Sequence, residues 1–364
     1  MSTIDSYSEQ YNTFSRQLLE KYYSARRDQN LVFSPFSILA VLAIAAEATA
    51  GITREEIVRV LSAEMDLDSV VSALQEIQRE ITEKQAFRSA NAVCVNNEIK
   101  NSIVLAFVTR IREQFEGELF ASADIISDVN AWAAKKTDGM IDQIVDESMR
   151  EMQACLLNAA AFDGKWMKPC TSRDIIYEKF RNSDGTTKKT SMLDIQEDLY
   201  VEDESVTGFV KPYKDIGFSF MALLPKKTGA AGLDRVMKSL SFSDLFRSRT
   251  SEPVDVLLPE FEYTFGEDLS SWLKELGIVE LFSNRADFSP FSSEWLKMEA
   301  ILHKARIEVN HSGTRAAAIT AGVVCFGAAP HFDRKKVRLT RPFVYAIVHN
   351  YTALPVFVGV VNNL

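Results

Sequence analysis

Apolar residues recur every three or four positions through "DSYSEQYNTFSRQLLEKYYSA". That spacing places Tyr7, Tyr11, Phe14, Leu18 and Tyr22 on one face of a predicted helix. The next segment, "SPFSILAVLAIAAEATA", is apolar nearly all round and predicts a buried helix. Ser34 or Ser37 is its expected start and Gly51 its expected stop. "TREEIVRVL" and "VVSALQEIQREITEKQ" read as amphipathic helices, "SANAVCVNN" alternates as a strand does, and "IVLAFVTRIREQF" is helical again. "SDVNAWAAKKTDGMIDQIV" predicts a further helix closing near Gly139.

From about residue 152 the pattern changes to short β-branched and aromatic runs between turn residues. "ACLLNAAAF", "YEKFRNS", "TGFVKPY", "GFSFMALLP", "VDVLLPEFEYTF", "VRLTRPFVYAIVHN" and "PVFVGVVNN" are read as strands. "AAGLDRVMKSL" and "GEDLSSWLKELGI" are read as helices. A helix-rich beginning runs into a strand-rich remainder with no Pro/Gly/Ser linker. This predicts an α+β fold in one unit over 1–364, without repeats.

Composition narrows the function classes. The 364 residues are 46% hydrophobic and carry a formal net charge of −9, so no basic surface invites nucleic acid. The longest apolar run, "ILAVLAIAA", is too short to span a bilayer. The polar start "MSTIDSYSEQYN" lacks the build of a secretory signal, so a cytoplasmic location is expected, with export by another route as the alternative. Cys94, Cys155, Cys170 and Cys325 show neither metal-ligand spacing nor a C-x-x-C pair, so reduced thiols are expected. Two glycosylation triplets, Asn310-His311-Ser312 and Asn350-Tyr351-Thr352, carry little weight without a signal. His303, His311, His331 and His349 are spaced 8, 20 and 18 apart, which fits no metal site. Phosphate loops, the dinucleotide fingerprint, the G-x-S-x-G elbow and H-E-x-x-H are all missing. Neither enzyme activity nor a cofactor is expected.

One stretch is unusual. Residues 310–330, "NHSGTRAAAITAGVVCFGAAP", hold six alanines, three glycines and a single charge. In an extended chain Thr314, Ala316, Ala318, Thr320, Gly322 and Val324 share one face, and all but the last are small. Arg315, Ala317, Ile319 and Ala321 share the other. An Ala-rich helix of eight residues between glycines would be too short to hold in water, and a mere linker would need no such small face.

"SPFSILAVLAIAAEATAGIT", "VNAWAAKKTDGMI", "LLNAAAFDGKW", "FSNRADFS", "HKARIEVNHSGTRAAAIT" and "RPFVYAIVHNYTALPVFVGVV" together resemble the serpins, in order from about residue 7 to 363. The resemblance implies a serpin fold of three β-sheets and eight or nine helices, with an exposed reactive loop at 313–330. Its hinge spans 313–321 and includes Gly313, Thr314, Arg315, Ala316, Ala317, Ala318 and Thr320. It implies a monomer that traps a protease by inserting the cut loop as a strand. The alternative is a non-inhibitory carrier or chaperone.

Counting along the family pattern from Gly313 sets the reactive bond at Gly327–Ala328. Ala328–Ala329 and Phe326–Gly327 remain as alternatives. Such residues suit elastase- or chymotrypsin-like serine proteases, with cysteine proteases a second target class in the family. By resemblance Ser34, Ser37, Asn158 and His303 form the shutter beneath the main sheet. Trp166, with Phe162, marks the breach where insertion begins. Asn130, Trp132 and Thr137 match a helix crossing the sheet. Cys325, beside the bond, is expected to be an ordinary small contact residue. The family usually has acidic residues at 311 and 315 and lysine at 163, where this chain has His311, Arg315 and Asp163. Loss of a top-of-sheet ion pair is therefore expected at 311.

Overall fold

The computed structural model describes residues 3–62, 65–82, 86–314 and 334–364. Over these the chain groups into two compact units. The first takes the chain up to Phe14, then Phe33–Ala161 and Thr264–Arg306. The second takes Ser15–Val32, Phe162–Tyr263 and Ile307–Leu364.

Helices fill the first half: α1 (Thr3–Ala25), α2 (Pro35–Glu47), α3 (Gly51–Ser62), α4 (Leu67–Thr82), α5 (Leu105–Phe115) and α6 (Ile125–Lys136). With α7 (Ala230–Ser239), α8 (Phe242–Arg247) and α9 (Ser270–Glu275) the described residues hold nine. The early strands are β1 (Leu31–Phe33), β2 (Phe87–Asn96), β3 (Glu118–Ser122), β4 (Ala154–Phe162) and β5 (Gly164–Lys165). Next come β6 (Ile175–Arg181), β7 (Thr187–Glu197), β8 (Tyr200–Glu202), β9 (Val206–Pro212) and β10 (Phe218–Pro225). Then follow β11 (Val254–Pro259), β12 (Phe261–Asp268), β13 (Met298–Asn310) and β14 (Gly313–Thr314). The last three are β15 (Lys335–Arg338), β16 (Phe343–His349) and β17 (Pro355–Val361). They make three sheets, as the α+β reading requires.

In the first unit the strand order is β3-β2-β4-β13. β4 and β13 run parallel, with Ala305 opposite Ala160 and His303 opposite Asn158. All nine residues of β4 are buried, which explains its run of small and apolar side chains with no polar alternation. α6 covers this sheet: Ile125, Val129, Trp132 and Ala133 pack with Cys94, Leu157, Ala159 and Leu302. All thirteen residues of α2 are buried, as expected of a helix apolar on every side.

Two expectations need correction here. α2 stops at Glu47, well before Gly51, and the Thr49 hydroxyl caps the carbonyl of Ala45 at 2.8 Å. Gly51, at φ +53°, opens α3 instead of closing α2. The run "VDVLLPEFEYTF" is two strands, broken at Glu260, whose carboxylate accepts from the Ser191 hydroxyl at 2.6 Å.

The second unit holds a six-stranded sheet ordered β1-β17-β16-β10-β9-β8 and a four-stranded sheet ordered β15-β11-β7-β6. Its core is aromatic. Phe162 packs on Tyr213, Phe218 and Phe357, and Trp166 stacks on Tyr213 with centroids 4.6 Å apart. The Tyr263 hydroxyl, on a half-buried side chain, bonds that of the buried Tyr345 at 2.7 Å.

The stripe on α1 is buried as its spacing predicts, from Tyr7 to Tyr22. Phe14→Ala would leave a void under that helix. It is expected to cost about 3–5 kcal/mol, seen as an earlier urea midpoint with an unchanged far-ultraviolet circular dichroism spectrum.

Candidate functional site

Within the first unit, the fold gathers the four residues Ser34, Ser37, Asn158 and His303 into one buried network. Ser34 caps α2: its backbone is extended, and its hydroxyl accepts from Ser37 N–H at 3.3 Å. The Ser34 N–H in turn donates to His303 Nε2 at 3.4 Å. Because Nε2 is the acceptor, the ring proton sits on Nδ1, which donates to Asn158 Oδ1 at 2.6 Å. The Asn158 amide donates onward to Asn91 Oδ1 at 2.7 Å. Ser37 and Ser89 share a hydroxyl bond of 2.7 Å. Burial pushes the imidazole pKa down to about 3, so His303 is neutral.

This network ties α2, β13, β4 and β2 together across the β4–β13 pair. Adjacent strands lie about 4.8 Å apart, so a strand placed between β4 and β13 would take Asn158 out of reach of His303. Asn91 and Ser89 were not anticipated from sequence. Polar side chains at alternate places in the strand "FRSANAVCVN" were the available signal.

α6 is held over the sheet by its own C-terminal loop. Asn130 Oδ1 accepts from Ile144 and Val145 N–H at 2.7 and 3.1 Å, and its amide donates to the Val145 carbonyl. Thr137 accepts from Ile141 N–H at 2.9 Å.

The second unit holds the start of the small-residue stretch. β13 ends at Asn310, the chain turns through His311 and Ser312, and β14 folds back with Thr314 opposite Val309. β14 pairs β5 on its other side. Asn310 Oδ1 stitches the turn by accepting from Ser312 N–H at 2.8 Å and Gly313 N–H at 3.2 Å. Gly313 has φ +153°, and a Cβ there would come within 2.1 Å of the Gly164 carbonyl oxygen, so no side chain fits.

Trp166 closes this turn, donating from Nε1 to the Asn310 carbonyl at 2.9 Å. Thr314 is fully buried and shares a bond of 2.6 Å with the Tyr213 hydroxyl. Beneath lies a buried ion pair, Lys211 to Glu197 at 2.5 Å, with the Lys211 ammonium 5.2 Å from the Trp166 ring centroid. At 311 the expected loss of an ion pair is modified. His311 meets an acid, its N–H donating to Glu260 Oε1 at 2.8 Å and its Nδ1 lying 3.3 Å from the same oxygen.

The remaining hinge residues Arg315, Ala316, Ala317, Ala318 and Thr320 lie outside the described residues. So do Phe326, Gly327, Ala328 and Ala329 around the expected reactive bond, and Cys325. Among the described residues no group of His, Cys, Asp or Glu is arranged to hold a metal. No described helix is long and apolar enough to cross a membrane.

A family model described as serpin (serine protease inhibitor) matches residues 9–364, and the chain belongs to that family. It is 28% identical over 369 residues to plasminogen activator inhibitor 1 of Sus scrofa, covering 95% of this chain and 90% of that one. The native state of tengpin, a thermophilic serpin, superposes with a TM-score of 0.89 at 29% identity, covering 98% and 94%. A thyroxine-binding globulin in complex with thyroxine shares the fold alone: TM-score 0.86, 22% identity, 98% of each chain covered. Serpins are protease inhibitors and generally not enzymes.

Two outcomes test these networks. The unfolded chain takes up a proton on His303 near pH 6.5, whereas the folded chain resists it until about pH 3. The stability His303 contributes is therefore complete above pH 6.5 and falls, by up to about 1.4 kcal/mol per pH unit, as pH drops toward 3. His303→Gln should lack that component, so the difference between the two unfolding curves narrows as pH is lowered. Lys211→Met would strand the Glu197 carboxylate at a cost of about 3–5 kcal/mol, and adding Glu197→Leu should recover most of it in urea unfolding.

Proposed function

We propose that the chain is an inhibitory serpin, a suicide substrate for serine proteases of elastase- or chymotrypsin-like preference. The observation that carries this reading is the seating of Gly313 and Thr314. These first two residues of the expected hinge are already strand, paired between β13 and β5.

Continuing the same register along β13 sets Arg315 opposite Glu308, Ala316 opposite Ile307, Ala318 opposite Ala305 and Thr320 opposite His303. Directly opposed residues share a face. Thr314, Ala316, Ala318 and Thr320 would then enter over the buried side, where only small groups have room. Arg315, unusual for the family, would meet the Glu308 carboxylate on the other side. Thr320 would bring a hydroxyl to His303 just where entry of the strand removes Asn158. The small face, the lone charge and the second threonine each gain a use.

The chemistry starts on the protease. Its nucleophile adds to the Gly327 carbonyl carbon, the Gly327–Ala328 bond breaks, and the Ala328 amine leaves with a proton. The loop remains as an acyl-enzyme. Insertion of the fourteen residues from Thr314 to Gly327, at about 3.3 Å each, would carry the protease some 45 Å before water completes hydrolysis. Neither Gly327 nor the alternatives Phe326 and Ala328 offers a cation, so a protease pocket floored by an acid would find no partner.

Incubation with elastase or chymotrypsin is expected to give a band that survives denaturing electrophoresis. Loop nicking should raise the melting temperature. Ala318→Glu would force an unpaired carboxylate into the sheet, so at least about tenfold more inhibitor should be consumed per protease trapped. Clean cleavage without a complex for both enzymes would sink the reading and favour the carrier or chaperone alternative.

A further inference from the structure

A cavity of about 310 Å3 opens in the second unit. The end of α1, the β6–β7 turn, the first turn of α7 and the residues before β16 line it. Neither the His303 network nor the hinge uses it. Part of its wall is apolar: Tyr23 and Leu233 are buried there, with Pro225 and Pro342 beside them. The rest is charged, with Arg27, Arg181 and Arg341 against Asp28 and Asp184.

With Arg27 set against Asp234 these charges balance in number, two arginines to two carboxylates, but the arginines are not paired with the acids. Arg27 is taken by Asp234 at 2.9 Å and lies over the Tyr23 ring. Asp184 is occupied within its own turn, accepting from the Thr186 N–H at 2.8 Å and hydroxyl at 2.6 Å. Arg341 is half-buried and donates to the Pro225 carbonyl. Among the described residues no carboxylate lies within ion-pair distance of it. Burial lowers its pKa with no acidic neighbour to oppose the shift. Arg181, exposed at the rim, has no ion pair among the described residues either. The first turn of α7 adds backbone N–H groups that its N-cap, Gly229, has no side chain to satisfy.

A partly desolvated guanidinium on the wall of a void is costly without a counter-charge. An anion would relieve it, and the apolar wall would cover the body of that anion. The volume is at the lower end for small-molecule sites, enough for a ring system and one head group. We propose that this cavity binds a small amphipathic anion, its apolar ring against Tyr23 and Leu233 and its carboxylate or sulfonate head on Arg341 and Arg181. The site is independent of loop insertion and holds whether or not the chain inhibits a protease.

Calorimetric titration of the full chain with 2-naphthoate tests this, with 2-naphthylmethylammonium as a cation of the same shape. Saturable one-to-one binding of the carboxylate alone is expected, weakened at least about tenfold by Arg341→Gln. Should Arg341→Gln fail to fold, Ala230→Phe fills the void from an exposed helix position and must abolish binding. Equal binding of anion and cation, unchanged affinity in the folded variant, or no saturable binding of 2-naphthoate overturns the proposal.

Discussion

The hydrogen bond from the His303 imidazole to Asn158 is the contact on which the first unit's sheet depends. It joins two parallel strands at a register pair, in an interior where neither side chain has water as a substitute. Its direction is set from outside the sheet, because the Ser34 N–H at the start of α2 occupies the other ring nitrogen. A buried polar chain of this kind is stable only while every member is satisfied. Parting β4 from β13 therefore costs several bonds together, which gives a barrier and not a gradual yielding. The alanines Ala159, Ala160 and Ala305 add little side-chain resistance to separation, which leaves it to this polar chain and to the larger opposed pairs Leu156–Ile301 and Leu157–Leu302.

The turn from β13 into β14 in the second unit works from a different balance. Gly313 has no side chain where its backbone closes on that of Gly164, Gly164 leaves room for the Phe162 and Tyr213 rings, and Asn310 uses its amide to hold the turn. Aromatic stacking and one buried ion pair then fix the floor under Thr314. The start of the stretch is thus tightly specified by the residues around it, and this seating supplies the register from which the rest of the proposed strand is drawn.

Much of this was legible in the chain. The α1 stripe and the buried character of α2 follow from periodicity, while the start of α2, open between Ser34 and Ser37 in the sequence, falls at Ser34. Other features were not. β7 and β13, eleven and thirteen residues long, went unassigned as strands because charged residues interrupt their apolar runs. The Asp184-Gly185 turn, with Gly185 at φ +85°, was the missed hairpin signal before β7. The partnership of His303 with Asn158 links positions 145 residues apart and entered only through family resemblance. Glu260, which meets His311, lies 51 residues away with no local mark. The cavity around Arg341 joins four separated segments, so no window of sequence could reveal it.

The pairing of Thr314 with Val309 also carries a proofreading consequence. A strand that entered one step out of frame would exchange its two faces. The arginine would be driven into the dry side and the threonine turned away from the imidazole, so the misaligned product would be poorer on both counts. If the proposed strand forms, its alignment would be enforced by two side chains of opposite character, one that must stay wet and one that must reach the interior.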